Sequence, residues 1–178
     1  MVINDMKFIP TWCCNSIYDI DLKFLKENNV KYIFTDLDNT LVPYNVSVPN
    51  EKTIELVNNI KKEGFSLIIV SNNTGKRVEL FSKGLDIDYI SGAKKPFTSV
   101  IRKYLKNHDI SIDECVLIGD QLMTDIKCAI KLKLRCVLTN PLSNEESIVT
   151  FFNRRIDRYY RKKYNLNSKC IKIDRSDV

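Results

Sequence analysis

Short, continuously apolar runs alternate along the chain with longer stretches in which apolar residues recur every three or four positions. The segment around Tyr32–Phe34, then FSLIIVS, CVLIG and LRCVLT, have the length and β-branched content of strands. Residues near Tyr89–Ile90 add a short one. Between them, VPNEKTIELVNNIKKEG spaces Ile54, Val57 and Ile60 three apart and predicts a helix that stops at Gly64. A second helix is predicted from about Lys76 to Lys83, closed by Gly84. After Pro96, the residues Phe97, Val100, Ile101, Tyr104 and Leu105 fall at i, i+3, i+4, i+7 and i+8, the core face of a third. Asp109–Glu114 reads as a connection and Thr124–Leu132 as helical.

Strands that alternate with helices imply parallel pairing through right-handed crossovers. The strands are apolar throughout, as they are when helices cover both faces of a sheet. The fold class is therefore α/β, a doubly wound, mostly parallel sheet. In such sheets ligands bind beyond the carboxyl ends of the strands. Functional residues are expected just after the apolar runs.

The polar clusters stand there. YIFT is followed by Asp36-Leu37-Asp38-Asn39-Thr40, LIIV by Ser71-Asn72-Asn73, and VLIG by Asp120 through Asp125. Lys94-Lys95 precedes Pro96. Asp, Asn, Ser and Gly also make ordinary turns after strands, so no single cluster is decisive; their order and placement together are. The residue types suit phosphoryl transfer with Mg²⁺, which favours hard oxygen ligands such as Asp36 and Asp120. Asp36 is the expected nucleophile. Asp38 would protonate the leaving alkoxide and later deprotonate water. Ser71 and Asn72 are expected at the phosphate, with Lys95 neutralising charge on its oxygens. Asp125 would support the metal shell through water or Lys95. Asn39 and Thr40 are read as shaping the first loop.

These four motifs, at Asp36–Leu41, Val70–Asn73, Ala93–Pro96 and Gly119–Asp125, resemble those of haloacid dehalogenase (HAD) superfamily phosphatases. They resemble the YqeG, or HAD-IIIA, branch in particular, from Pro10 to about Arg154. The resemblance implies a HAD-like, Rossmannoid fold. It also implies that Asp38 lends its backbone carbonyl to Mg²⁺ beside Asp36 and Asp120, and that Lys95 rather than Lys94 is the motif lysine. Only 32 residues separate Asp38 from Ser71 and 23 separate Ser71 from Lys95, too few for the cap domain of many relatives. Some relatives in this branch dephosphorylate phosphatidylglycerophosphate, which makes an anionic lipid head group the expected substrate.

Charge adds a second region. The net +6 comes from 28 Lys/Arg against 22 Asp/Glu, and the whole excess lies after residue 150. The chain divides into a phosphatase domain over 1–147 and a basic amphipathic helix and tail over 148–178. On that helix Ile148, Val149, Phe152, Ile156, Tyr159 and Tyr160 are expected on one face, with Arg154, Arg158, Arg161 and Lys162 on the other. Three readings stay open for the 154–163 basic face: a docked helix with solvated cations, peripheral contact with anionic lipid, and, less favoured, nucleic acid. A soluble phosphometabolite or a nucleic-acid phosphate is the alternative substrate, and two other function classes compete, a phospho-switch module resembling a receiver domain and an RNA- or ribosome-binding protein. Oligomeric state is open.

No stretch approaches the roughly 20 apolar residues that span a bilayer, and the N-terminus lacks the pattern of a secretory signal. The expected location is cytoplasmic, at or near the inner face of the membrane. Six cysteines without a C-x-x-C pair, and a single histidine, His108, argue against zinc. Buried, reduced thiols are expected at Cys115 and Cys136. Trp12 is read as anchoring the N-terminal segment on the core, and His108 as a helix C-terminal residue.

Overall fold

This computed structural model describes residues 9–143, 148–166 and 170–175. Its strands are β1 (Trp12–Cys13), β2 (Tyr32–Thr35), β3 (Ser66–Val70), β4 (Asp88–Ile90), β5 (Cys115–Gly119) and β6 (Arg135–Leu138). They form one sheet in the order β1-β6-β5-β2-β3-β4, and every pairing is parallel. The chain winds outward from β2 through β3 to β4, then crosses back to lay β5 and β6 on the other side of β2. The switch point expected of a doubly wound sheet therefore falls at β2.

The helices are α1 (Leu22–Glu27), α2 (Glu51–Lys62), α3 (Lys76–Leu85), α4 (Ser99–Asn107), α5 (Lys127–Leu132) and α6 (Ile148–Lys163). Alternate strand residues feed two cores. Ile33, Leu67, Ile69, Val116 and Ile118 pack beneath α1, α2 and α3. Phe34, Ile68, Val70, Leu117 and Cys136 pack beneath α4 and α5. Side chains close the helix starts: Asp21 accepts the N–H of Phe24 at α1, and Asn50 that of Thr53 at α2.

Local details correct the expectations. Ile54 is 41% exposed; the buried face of α2 is Thr53, Leu56, Val57 and Ile60. Gly84 lies inside α3, and Asp86 takes the left-handed turn that ends it. A Cβ at Gly84 would sit 3.3 Å from Pro49, so this glycine serves packing instead. Phe97 is 68% exposed because α4 begins only at Ser99. The two-residue strand β1 was too short to carry a periodic signal. Trp12 is buried edge-to-face on Phe24, and His108 ends α4 stacked on Tyr104, both as read.

The termini brace each other. Residues 170–175 run beside β1, with Cys13 N–H bonded to Ile171 O and Ile173 N–H to Cys13 O. A Cys13–Cys170 disulfide joins them across 157 positions of sequence. These two cysteines are thus paired, while Cys14, Cys115, Cys128 and Cys136 are free and buried.

The face assigned to α6 also changes. Ile156 and Tyr159, expected inside, are exposed, whereas Asp157 is buried and Tyr160 and Tyr164 pack on the α4–α5 core. Arg161, expected on the solvated side, turns inward. The reason is that α6 docks against a loop whose backbone donors and carbonyls select polar partners. The boundary at 147 and the side chains of Ile148, Val149, Phe152 and Arg154 lie outside the described residues.

Candidate active site

Parallel register brings the site together. Thr35 pairs with Ile69 on one side and Ile118 on the other. One step on, Asp36 continues the ladder by donating its N–H to Ile118 O. Ser71 and Asp120 follow the flanking strands immediately. One carboxylate oxygen from each of Asp36, Asp120 and Asp125 lies within 4.8 Å of the others, and all three residues are buried.

Asp125 reaches the cluster from a π-helical turn, Leu122–Ile126, a geometry common at functional sites. The turn closes so tightly that a Cβ at Gly119 would stand 2.4 Å from Asp125 Cβ and Cγ. Only glycine fits there. Gln121 N–H bonds Asp125 Oδ2, and Thr40 Oγ1 donates to Asp120 Oδ1.

Lys95 lies among these acids. Its Nζ is 2.7 Å from Asp36 Oδ1, 2.7 Å from Asp125 Oδ1 and 2.7 Å from Val70 O. Burial alone would lower its pKa, but Asp125 and Asp36 outweigh that and hold it above the usual lysine value. Burial pushes Asp36 well up; Lys95 opposes this, and Asp125 and Asp120 add to it. Asp36, Asp120 and Asp125 offer hard oxygen donors in a repulsive cluster. That donor set could hold a divalent cation of the Mg²⁺ kind.

Asp38 has different company. Its carboxylate accepts from Arg77 Nη1 at 2.5 Å and from Asn73 Nδ2 at 2.8 Å. Arg77, on α3, also donates from Nε and Nη2 to Val46 O, so it ties Asp38 to the loop before α2. The side chain of Asp38 therefore stands apart from the three-acid cluster.

Ser71 is buried, and its Oγ accepts the N–H of Asn73, an arrangement in which its O–H can donate elsewhere. Asn72 beside it pairs with the Lys95 backbone. Its Oδ1 accepts Lys95 N–H at 2.7 Å and its Nδ2 donates to Lys95 O at 3.0 Å. The Asn72 amide holds the Lys95 backbone from both sides. Asn39, with φ 60°, shapes its loop as read and accepts from Tyr44 N–H and Ser143 Oγ. Sequence reasoning missed Arg77 and the parts that Thr40 and Asn73 play beside Asp120 and Asp38. Thr40 and Asn73 lay inside recognised motifs, and Arg77 did not.

Between Asp38 and Ser71 the chain has room for one loop, α2 and β3, and between Ser71 and Lys95 for α3 and β4. Among the described residues no domain-sized insertion covers the strand ends. Solved structures share this fold. An uncharacterised protein from Listeria monocytogenes serotype 4b superposes with a TM-score of 0.52 at 19% identity, over 66% of this chain and 85% of that one. A protein from Vibrio cholerae assigned as a 3-deoxy-D-manno-octulosonate 8-phosphate phosphatase gives 0.51 at 14%, over 83% and 92%.

A doubly wound sheet with this motif set at its strand ends defines a HAD-type phosphatase. Residues 1–143 match the family described as mitochondrial PGP phosphatase. YqeG of Bacillus subtilis (strain 168), described as a probable phosphatase, is 37% identical over 151 residues, 85% of this chain and 88% of the relative. The chain belongs to the mitochondrial PGP phosphatase family and is a phosphatase of the HAD type.

Proposed function

We propose that the chain hydrolyses a phosphomonoester through an aspartyl-phosphate on Asp36, with Mg²⁺ bound, and that the substrate is phosphatidylglycerophosphate. The observation that carries the mechanism is the convergence of Asp36, Asp120 and Asp125 within 4.8 Å around the Lys95 ammonium. Mg²⁺ would be held by Asp36, Asp120 and the Asp38 carbonyl, with Asp125 alongside, and supplies positive charge that lets an anionic ester approach a carboxylate.

Asp36 attacks phosphorus, a P–O bond to the acyl oxygen forms, and the ester P–O bond breaks. Asp38 gives its proton to the departing alkoxide. Ser71 and Lys95 bind the phosphoryl oxygens as charge builds on them. In the second half, Asp38 takes a proton from water, the water oxygen attacks phosphorus, and Asp36 leaves as carboxylate with inorganic phosphate released. Arg77 and Asn73 hold Asp38 for both transfers.

The substrate rests on the family description and on α6. That helix exposes Arg155, Arg158, Lys162 and Lys163 beside Ile156 and Tyr159. Cations flanking exposed apolar anchors suit an anionic lipid surface, where each contributes about 1 kcal/mol. Among the described residues no helix is long and apolar enough to cross a membrane, so such contact would be peripheral.

The test is phosphate release from phosphatidylglycerophosphate in mixed micelles, beside a soluble sugar phosphate and a 3′-phosphorylated oligonucleotide, with Asp36→Asn as control. Preference for the lipid supports the proposal. Equal or better turnover of a soluble ester overturns the substrate, and full activity in Asp36→Asn overturns the mechanism.

A further inference from the structure

The buried face of α6 carries an acid and a base one turn apart, and both grip the loop that presents Asp120. Asp157 Oδ2 accepts the N–H of Leu122 at 2.8 Å, and its Oδ1 accepts that of Met123 at 3.3 Å. Arg161 Nη2 donates to Asp120 O at 2.7 Å and to Thr139 O at 3.0 Å. Thr139 in turn donates its N–H to Gly119 O. The two side chains thus hold the backbone at Asp120 and on its far side, where the π-helical turn that carries Asp125 begins. Burying a carboxylate is costly unless its oxygens are satisfied, and here they are satisfied by amides of this turn.

We propose that Asp157 and Arg161 are positioning residues for the metal-binding carboxylates, which makes α6 a working part of the site although it lies outside the matched stretch 1–143. The proposal rests on the Mg²⁺ reading above. Partners that orient metal ligands change metal affinity by roughly 10–100-fold when removed. Lys162, exposed on the same helix, serves as a control.

The experiment is calorimetric titration of the full chain with MgCl₂ in the absence of substrate. Asp157→Asn and Arg161→Gln should raise the Mg²⁺ dissociation constant by about 10-fold. The KM for substrate at saturating Mg²⁺ should change less than about twofold, and Arg161→Lys should recover part of the affinity. Lys162→Gln should bind as wild type. Unchanged Mg²⁺ affinity in folded Asp157→Asn and Arg161→Gln overturns the proposal, as does an equal loss in Lys162→Gln. If Asp157→Asn melts below the assay temperature, Arg161→Gln carries the same comparison, and wild-type affinity there overturns it. Absence of Mg²⁺ binding in the wild-type chain removes the metal reading itself, an outcome distinct from the variant results.

Discussion

The strand-end cluster and the C-terminal brace both bury charge, and they differ in what the charge meets. At the strand ends, Asp36, Asp120 and Asp125 crowd together with Lys95 bonded to two of them, and burial, aided by repulsion from Asp125 and Asp120, pushes the pKa of Asp36 up. In the brace, Asp157 and Arg161 meet backbone amides and carbonyls, and the Cys13–Cys170 bond ties the following segment to the sheet edge. One arrangement leaves unsatisfied electrostatics for a cation and an anion to complete. The other satisfies its charges internally and gives up reactivity for rigidity. Cluster substitutions should therefore remove turnover with little loss of stability, and those at the terminal tie the reverse.

The widest separation is expected for Asp36→Asn. Phosphate release should fall by about a thousandfold or more. The metal-free unfolding free energy should move by less than about 1 kcal/mol, because the amide oxygen still accepts from Lys95 and a like charge beside Asp125 and Asp120 is gone. Activity assays and urea melts check both halves. Cys170→Ser tests the other pole: it opens a covalent loop of 157 positions and should cost about 2–4 kcal/mol of stability, with kcat at saturating Mg²⁺ within about twofold. A large loss of kcat there would blur the division.

Gly119→Ala should strike both regions, since its Cβ must move the Asp125 side chain. A loss of about 1–3 kcal/mol by thermal melt is expected, together with weaker Mg²⁺ binding. Arg77→Gln sharpens the contrast within the site. It should lower kcat about 10-fold for an alkyl phosphate and less for p-nitrophenyl phosphate, whose leaving group needs little help from Asp38. The smallest effect is none at all. Burial pushes Cys115 up to about 12 and Cys128 up to about 11, so mass spectrometry should find neither alkylated by iodoacetamide at pH 8 until the chain is unfolded.

The cluster was legible and the brace was not, for a physical reason. Asp36, Ser71 and Asp120 each stand directly after an apolar run, and parallel register carries that adjacency in sequence into adjacency in space. Lys95 was recognisable by its motif, although nothing in the residue pattern marked Asn72 as the holder of its backbone. Asp157 and Arg161 act on N–H and C=O groups, which every residue offers, so no residue type marks their partners. Arg77 likewise reaches a carbonyl, at Val46. Periodicity misjudged α6 because it assumes that the buried face is the apolar one, and this helix docks on loop backbone. Cys13 and Cys170 are too far apart in sequence for spacing to suggest their pairing.

Lys95 carries three ammonium protons, and three oxygens already surround it, from Asp36, Val70 and Asp125. A phosphoryl oxygen can join only by exchange. Val70 is fixed in its strand and Asp125 in its tight turn, so Asp36 is the neighbour that lets go. On the mechanism proposed above, Lys95 thus holds Asp36 on a leash, which the arriving anion itself slips.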